Sequence, residues 1–385
     1  MYEAFDRFFK DHEGARRFVS PGRVNLIGEH IDYNGGLVFP AAIDMGTYGL
    51  ARKRSDRTVN LVSLSFPDQP MVTVTLDTLA YEPAHGWANY AKGVLDALLR
   101  KGYKLDHGFD LLVDGDLPTA SGLSSSASLE VLVGHVAITL NGLSITKTEL
   151  ALVAQEAENS YMGMHCGIMD QLSITMGKKD YAMMMDTGTL DIEYLPARFD
   201  GFSFIIMNTH YERKTTDSKY NARRQEANEA LVALKEGVSG LEHLCQLTPE
   251  QFDTHKHLIK DPVIMRRARH AVHEQARVLE AKDALRNQDA LLFGRLLNAS
   301  HASLKDDYEV TGPHLDALTE AARASGAIGA RVTGAGFGGC AIALVEDDLI
   351  PGFEDRVNAI YHARTGIKAS FYPVTFTDGV REENQ

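Results

Sequence analysis

The amino-acid sequence predicts an α+β fold in two domains. A chain of 385 residues suits two domains and can bury a large core without disulfide staples. Short β-branched runs and amphipathic helical stretches are mixed along it, without the regular βαβ alternation of a doubly wound sheet. Hydrophobic residues at 44% and charged residues at 24% give the balance of an ordinary globular protein.

The elements follow in chain order. Residues 59–64, 72–76 and 109–113 are short, rich in branched side chains and bounded by turn formers, so they read as strands. Helical periodicity is clearest after Gly122, where Leu129, Leu132, Val133, Val136 and Leu140 recur on one face and Asn141-Gly142 stops the helix. Thr146 and Glu149 have capping-box spacing, which starts a second helix with Leu150, Val153, Ala154 and Ala157 on its apolar face. Met183-Met184-Met185 reads as core strand. A strand over 202–207 opens the second half, followed by charged helical sequence over 218–234 and again over 263–297. A glycine-rich loop over 334–339 runs into a strand over 340–345. A boundary at Leu195-Pro196 divides the chain into domains 1–195 and 196–385; there is no internal repeat.

The net charge of −13 argues against nucleic-acid or anionic-membrane partners, which demand basic faces. Cys166, Cys245 and Cys340 are too scattered for a disulfide framework or a cysteine zinc site. The N-terminal residues lack a basic region followed by an apolar run, so no secretory leader is expected and a reducing, cytoplasmic setting follows. The oligomeric state stays open between monomer and weak dimer.

Three loops carry the chemistry. The first, residues 21–36, packs Arg23, Glu29, His30 and Asp32 between glycines. Such a loop suits a polyhydroxy ligand, with Arg23 available for a carboxylate or phosphate; taken alone it also fits a loop whose charges pair with each other. The second, residues 117–128, places Gly122-Leu123-Ser124-Ser125-Ser126 before a helix N-terminus. Free backbone N–H groups, the helix dipole and serine hydroxyls favour a phosphate there, although a plain serine N-cap has the same composition. It is not a Walker A loop, because no Gly-Lys-Ser/Thr follows. The third, residues 166–171, sets Asp170 at the start of a helix running through Leu172 and Met176. Asp170 there serves either the dipole or a general base beside a cation. Glu158 near an apolar helix edge, together with Ser126, could supply oxygens to magnesium; an exposed helical glutamate is the commoner outcome.

These glycine-bearing loops resemble, in order, the three motifs of the GHMP small-molecule kinases. Residues 22–33, Gly-Arg-Val-Asn-Leu-Ile-Gly-Glu-His-Ile-Asp-Tyr, are similar to the galactokinase signature within that family. Trp87-Ala88-Asn89-Tyr90, Cys166-Gly167-Ile168-Met169-Asp170-Gln171, Tyr220-Asn221-Ala222-Arg223-Arg224 and residues 333–340 agree with it, and the match runs from about Phe18 to Tyr372. The resemblance implies transfer of phosphate from ATP, with magnesium, to the anomeric hydroxyl of galactose. It also implies an N-terminal domain like ribosomal protein S5 domain 2, a ferredoxin-like C-terminal domain and a site in the cleft between them. On that pattern Asp170 is the base and Arg23 its cationic neighbour. Glu29, His30, Ile31, Asp32, Gly167 and Tyr220 surround the sugar. Ala120, Ser121, Gly122, Leu123, Ser124, Ser125 and Ser126 wrap the ATP phosphates, with Ser63 and Trp87 near the nucleotide. Ser126 and Glu158 hold the magnesium.

One departure is visible: galactokinases often have glycine where Ala120 stands, and alanine at positive φ costs stability. Two alternatives stay open. A kinase of the same fold acting on N-acetylgalactosamine or arabinose differs only in pocket shape. A galactose sensor without turnover would keep the ligand sites, but Ser124-Ser125-Ser126-Ala127 and Asp170 are intact here.

Overall fold

The computed structural model describes residues 1–118, 122–211 and 216–383. Its strands are β1 (Arg16–Asn25), β2 (Leu37–Val38), β3 (Pro40–Lys53), β4 (Thr58–Ser63), β5 (Val72–Thr75), β6 (Phe109–Gly115), β7 (Tyr181–Asp186), β8 (Ile192–Pro196), β9 (Phe202–Asn208), β10 (Ala327–Val332), β11 (Cys340–Glu346), β12 (Ser370–Pro373) and β13 (Arg381–Glu383). Its helices are α1 (Tyr2–Phe9), α2 (Ala88–Arg100), α3 (Ser125–Asn141), α4 (Lys147–Glu156), α5 (Met169–Met176), α6 (Thr216–Lys235), α7 (Pro249–His255), α8 (Pro262–Arg286), α9 (Ala290–Asp306), α10 (Gly312–Ala324) and α11 (Phe353–Thr365).

The first sheet has the order β13-β1-β3-β6-β4-β5, antiparallel except between β4 and β6. Helices α2 and α3 cover it, with Phe18, Leu61, Phe109, Leu111, Leu132 and Val136 in the core between them. The second sheet, β10-β11-β9-β12, is wholly antiparallel. Alternation on β9 serves two cores: Ile205 and Met207 face the α10–α11 layer, while Phe204 and Ile206 face the other side. That other side is one continuous core running from Val24, Ile27 and Ile31 of the first loop to Phe293 and Leu297 of α9. The small sheet β2-β7-β8 adds Met183 and Met185 to it. Strands and helices are thus mixed as an α+β fold.

Local signals explain the element ends. Thr146 caps α4, its side chain accepting from the Glu149 N–H at 3.1 Å while Glu149 reaches back to the Thr146 N–H at 2.9 Å. The expected helical stretch over 263–297 is two helices rather than one. Gln288 adopts φ +55° and Asp289 caps α9 through the Leu292 N–H at 2.8 Å, breaking a continuous periodicity. The C-terminal β13 pairs with β1, so the chain's last strand returns to its first sheet. Among the described residues no helix is long and apolar enough to cross a membrane.

Candidate active site

A cavity of about 470 Å³ opens where the end of β1, the N-terminus of α3, the N-terminus of α5 and the loop at Gly334-Ala335 converge. A register shift between β1 and β3 at Pro21/Gly22 precedes Arg23, a device that re-aims the next side chain. Arg23 is 4% exposed. Its Nε and Nη2 donate to Asp170 Oδ1 at 2.9 and 2.8 Å, and its Nη1 donates to the Gly122 carbonyl at 2.7 Å. Ser124 stands before α3 at φ +63°, does not cap the helix, and donates its hydroxyl to Asp170 Oδ2 at 2.5 Å. Asp170 is therefore gripped on both oxygens while its side chain stays 30% exposed. A carboxylate beside a buried guanidinium, open to a cavity, can accept a proton from a bound hydroxyl.

The first loop forms the opposite wall. Asp32 lies in a single 3₁₀ turn, residues Asp32–Asn34, and its carboxyl fills the space above Gly167. Burial, then the nearby Asp170 and Glu29, push its pKa up to about 7. His30 sits at φ +61° with both ring nitrogens engaged: Nδ1 is 2.9 Å from the Tyr33 hydroxyl and Nε2 3.1 Å from the Ala335 carbonyl. Burial and the neighbouring His270 hold its pKa down to about 3, so the ring is neutral. Neutral His30 donates from Nε2 and accepts at Nδ1 from Tyr33, whose hydroxyl lies 3.0 Å from that of Tyr308. Glu29 Oε1 accepts from the Gly334 N–H at 2.7 Å and pairs with buried Arg331 at 2.8 Å. Tyr220 on α6 completes this side, its ring 5.5 Å from His30 and 5.6 Å from Tyr33.

The third wall carries Ser125, Ser126 and Glu158. Ser126 donates to Glu158 Oε1 at 2.9 Å, and Gln171 Nε2 donates to Glu158 Oε2 at 2.7 Å. Burial, then Asp170, push the Glu158 pKa up to about 7, which a nearby cation would relieve. The Ser126 hydroxyl and a Glu158 carboxylate oxygen at the cavity wall fit magnesium, which fills the rest of its shell with water and phosphate.

The structure brings Arg23, Glu29, His30, Asp32, Gly122, Ser124, Ser125, Ser126, Glu158, Gly167, Asp170 and Tyr220 to one cavity. Ile31 is not on its wall: its side chain enters the core and its carbonyl accepts from Asn34 and Gly36. Leu123 is likewise core, though its carbonyl accepts from the Arg23 N–H at 3.2 Å. Ser63 ends β4 and Trp87 packs against the α2–α3 core; neither lines this cavity. Ala120 and Ser121 lie outside the described residues. Tyr90, one turn along α2 from Trp87, does line it. Arg331, Tyr33, Tyr308 and Gln171 shape the site and were not singled out from sequence; asking what neutralises Glu29 would have pointed to a partner such as Arg331. A larger groove, about 700 Å³, lies beyond Tyr33 with Arg224 and Lys235 on its walls, but holds nothing comparable to the Arg23–Asp170 pair.

The galactokinase galactose-binding signature matches residues 3–53, and the GHMP kinase N-terminal and C-terminal domains match residues 89–178 and 281–363. The galactokinase of Staphylococcus carnosus is 47% identical over 384 residues, covering 99% of this chain and 98% of that protein. That of Lactiplantibacillus plantarum is 47% identical over 381 residues, covering 99% and 97%. The crystal structure of Lactococcus lactis galactokinase complexed with galactose superposes with a TM-score of 0.97 at 46% identity, covering 99% of this chain and 98% of that one. Methanococcus jannaschii mevalonate kinase, at 17% identity and a TM-score of 0.68 over 94% of this chain and 98% of that one, shares the fold. The chain has the two-domain GHMP kinase architecture and belongs to the galactokinase family.

Proposed function

We propose that this chain transfers the γ-phosphoryl group of ATP to the C1 hydroxyl of D-galactose, giving galactose 1-phosphate and ADP. The observation that carries the proposal is the Asp170 carboxylate, held by Arg23 and Ser124 and facing the same cavity as Asp32, Gly167 and Tyr220. In phosphoryl transfer the protein chiefly positions groups and offsets developing charge. Asp170 accepts the proton of the sugar hydroxyl. Arg23 holds that carboxylate in place and supplies positive charge beside the transferring group. Asp32 and Glu29 accept hydrogen bonds from sugar hydroxyls, and Tyr220 closes the pocket. Neutral His30, tied to Tyr33 and Ala335, fixes the loop that presents them.

The N-terminus of α3 receives the phosphates on Gly122, Ser124, Ser125 and Ser126. The nucleotide extends past Tyr90 along α2, towards Trp87 and Ser63. Ser126 and Glu158 hold magnesium, which when bound neutralises phosphate charge.

The test is ADP release from ATP and magnesium across galactose, glucose, N-acetylgalactosamine, arabinose and mevalonate, with the product's phosphate located by NMR. Galactose-dependent turnover with phosphate on C1 is expected. Thermal stabilisation by galactose without turnover would overturn the kinase assignment, and turnover only with another acceptor would overturn the sugar.

A further inference from the structure

Glu130 has no place in the chemistry above, yet it is fully buried. It lies on α3 one turn after Ser126, next to the core residues Val131, Leu132 and Val133. Its carboxyl lies within reach of the Gln171 and Glu158 side chains, and Gln171 Oε1 is buried without a further partner among the described residues. A buried carboxyl is costlier than an apolar side chain of the same size, so its presence calls for a use. Its carboxyl interacts with Glu158, Gln171 and Asp170, and burial followed by Glu158 raises its pKa well above the ordinary range.

We propose that Gln171 and Glu130 are positioning residues that hold Glu158 in the orientation needed to ligate the metal of the nucleotide. This rests on the assignment of Ser126 and Glu158 to that metal. Glu158 sits in the π-helical turn Ala157–Tyr161 that follows α4. Such turns interrupt the regular ladder and recur at functional sites. There the carboxylate is fixed by its own bonds rather than by a regular helix face. Oε2 is anchored inward by Gln171 at 2.7 Å, while Oε1 meets Ser126 at 2.9 Å on the cavity wall. Gln171 is itself fully buried on α5, one residue after Asp170. The base and the anchor of Glu158 thus share one helical turn. Glu130, on the helix that also carries Ser126, is buried and interacts with both Gln171 and Glu158. Outer partners of ligating carboxylates typically contribute 10- to 100-fold in metal affinity.

The experiment compares calorimetric affinity for a non-hydrolysable ATP analogue with and without Mn²⁺; the ratio reads the metal's contribution. Gln171→Leu is expected to lower that ratio about tenfold or more. Glu130→Gln, which keeps the side-chain size, is expected to lower it severalfold. Affinity for galactose and for the metal-free analogue stays within twofold in both variants, a split that a merely structural role would not produce. Glu158→Gln serves as the control. If Glu158→Gln removes the Mn²⁺ effect while both other variants keep it, the positioning inference is overturned. If Glu158→Gln also leaves the ratio intact, the metal assignment fails first and the inference with it.

Discussion

Replacing Gly167 by alanine tests how the sugar wall is built. An added Cβ would lie 1.7 Å from Asp32 Oδ2, where real Cβ contacts stay beyond 3.0 Å. Gly167 does not need positive φ, so the conflict is steric rather than conformational. The Asp32 backbone has little freedom to yield, because Thr187 donates its hydroxyl to the Asp32 carbonyl at 2.7 Å. The carboxylate must therefore withdraw by more than an ångström and, on the proposed placement, lose its hydrogen bond to the sugar. A hydrogen bond to a charged group contributes about 1.5–3 kcal/mol, equivalent to roughly 10- to 150-fold in affinity. Steady-state kinetics should show the galactose KM rising by that factor, with the ATP KM and the melting temperature nearly unchanged. Calorimetric galactose binding should weaken in parallel. A galactose KM within twofold of the parent would refute the placement of Asp32 against the sugar.

Other expectations follow from the same wall. Tyr220→Phe should raise the galactose KM with little change in kcat; an unchanged KM would put Tyr220 outside the pocket. Asp32 has its folded pKa raised from 3.8 to about 7, so its ionisation destabilises the ligand-free fold progressively as pH rises from about 4 to about 7. Asp32→Asn should therefore be more stable to unfolding than the parent at pH 8, by on the order of a few kcal/mol, and melt higher, with the gain vanishing near pH 4. Equal melting differences at both values would contradict that ionisation. Arg23→Met should lower kcat by about a hundredfold or more, because it leaves a partly buried carboxylate without its guanidinium. Parent-like turnover in that variant would remove Arg23 from the reaction.

Much of this was legible in the sequence because the signals are local. The capping box at Thr146 and Glu149, the strand through Met183 and Met185 and the helix entering at Ser125 are each set by a few neighbouring residues. The break at Gln288 was not legible: glutamine carries no turn signal, and periodicity on both sides made the stretch look continuous. At the site, residue types in the three loops disclosed which side chains meet, but not how they bond. The serines before α3 fitted a phosphate loop or an N-cap by composition; in the structure Ser124, at positive φ, does not cap the helix and bonds Asp170. Ile31 stands between two polar site residues, yet the 3₁₀ turn that follows sends its side chain inward. The distant partners of Glu29 and His30, namely Arg331, Gly334 and Ala335, lie more than 300 residues away, a separation that local pattern does not reach.

The central claim is that Asp170, held by Arg23 and Ser124, takes the proton of the sugar hydroxyl. The most direct measurement is single-turnover phosphoryl transfer by Asp170→Asn, alongside calorimetric binding of galactose and of the ATP analogue. A positioned general base contributes about 10²- to 10⁴-fold. The account predicts a loss of at least a hundredfold in the transfer rate, with both binding affinities kept within a few-fold. Transfer at the parent rate in the folded, ligand-binding variant would contradict it.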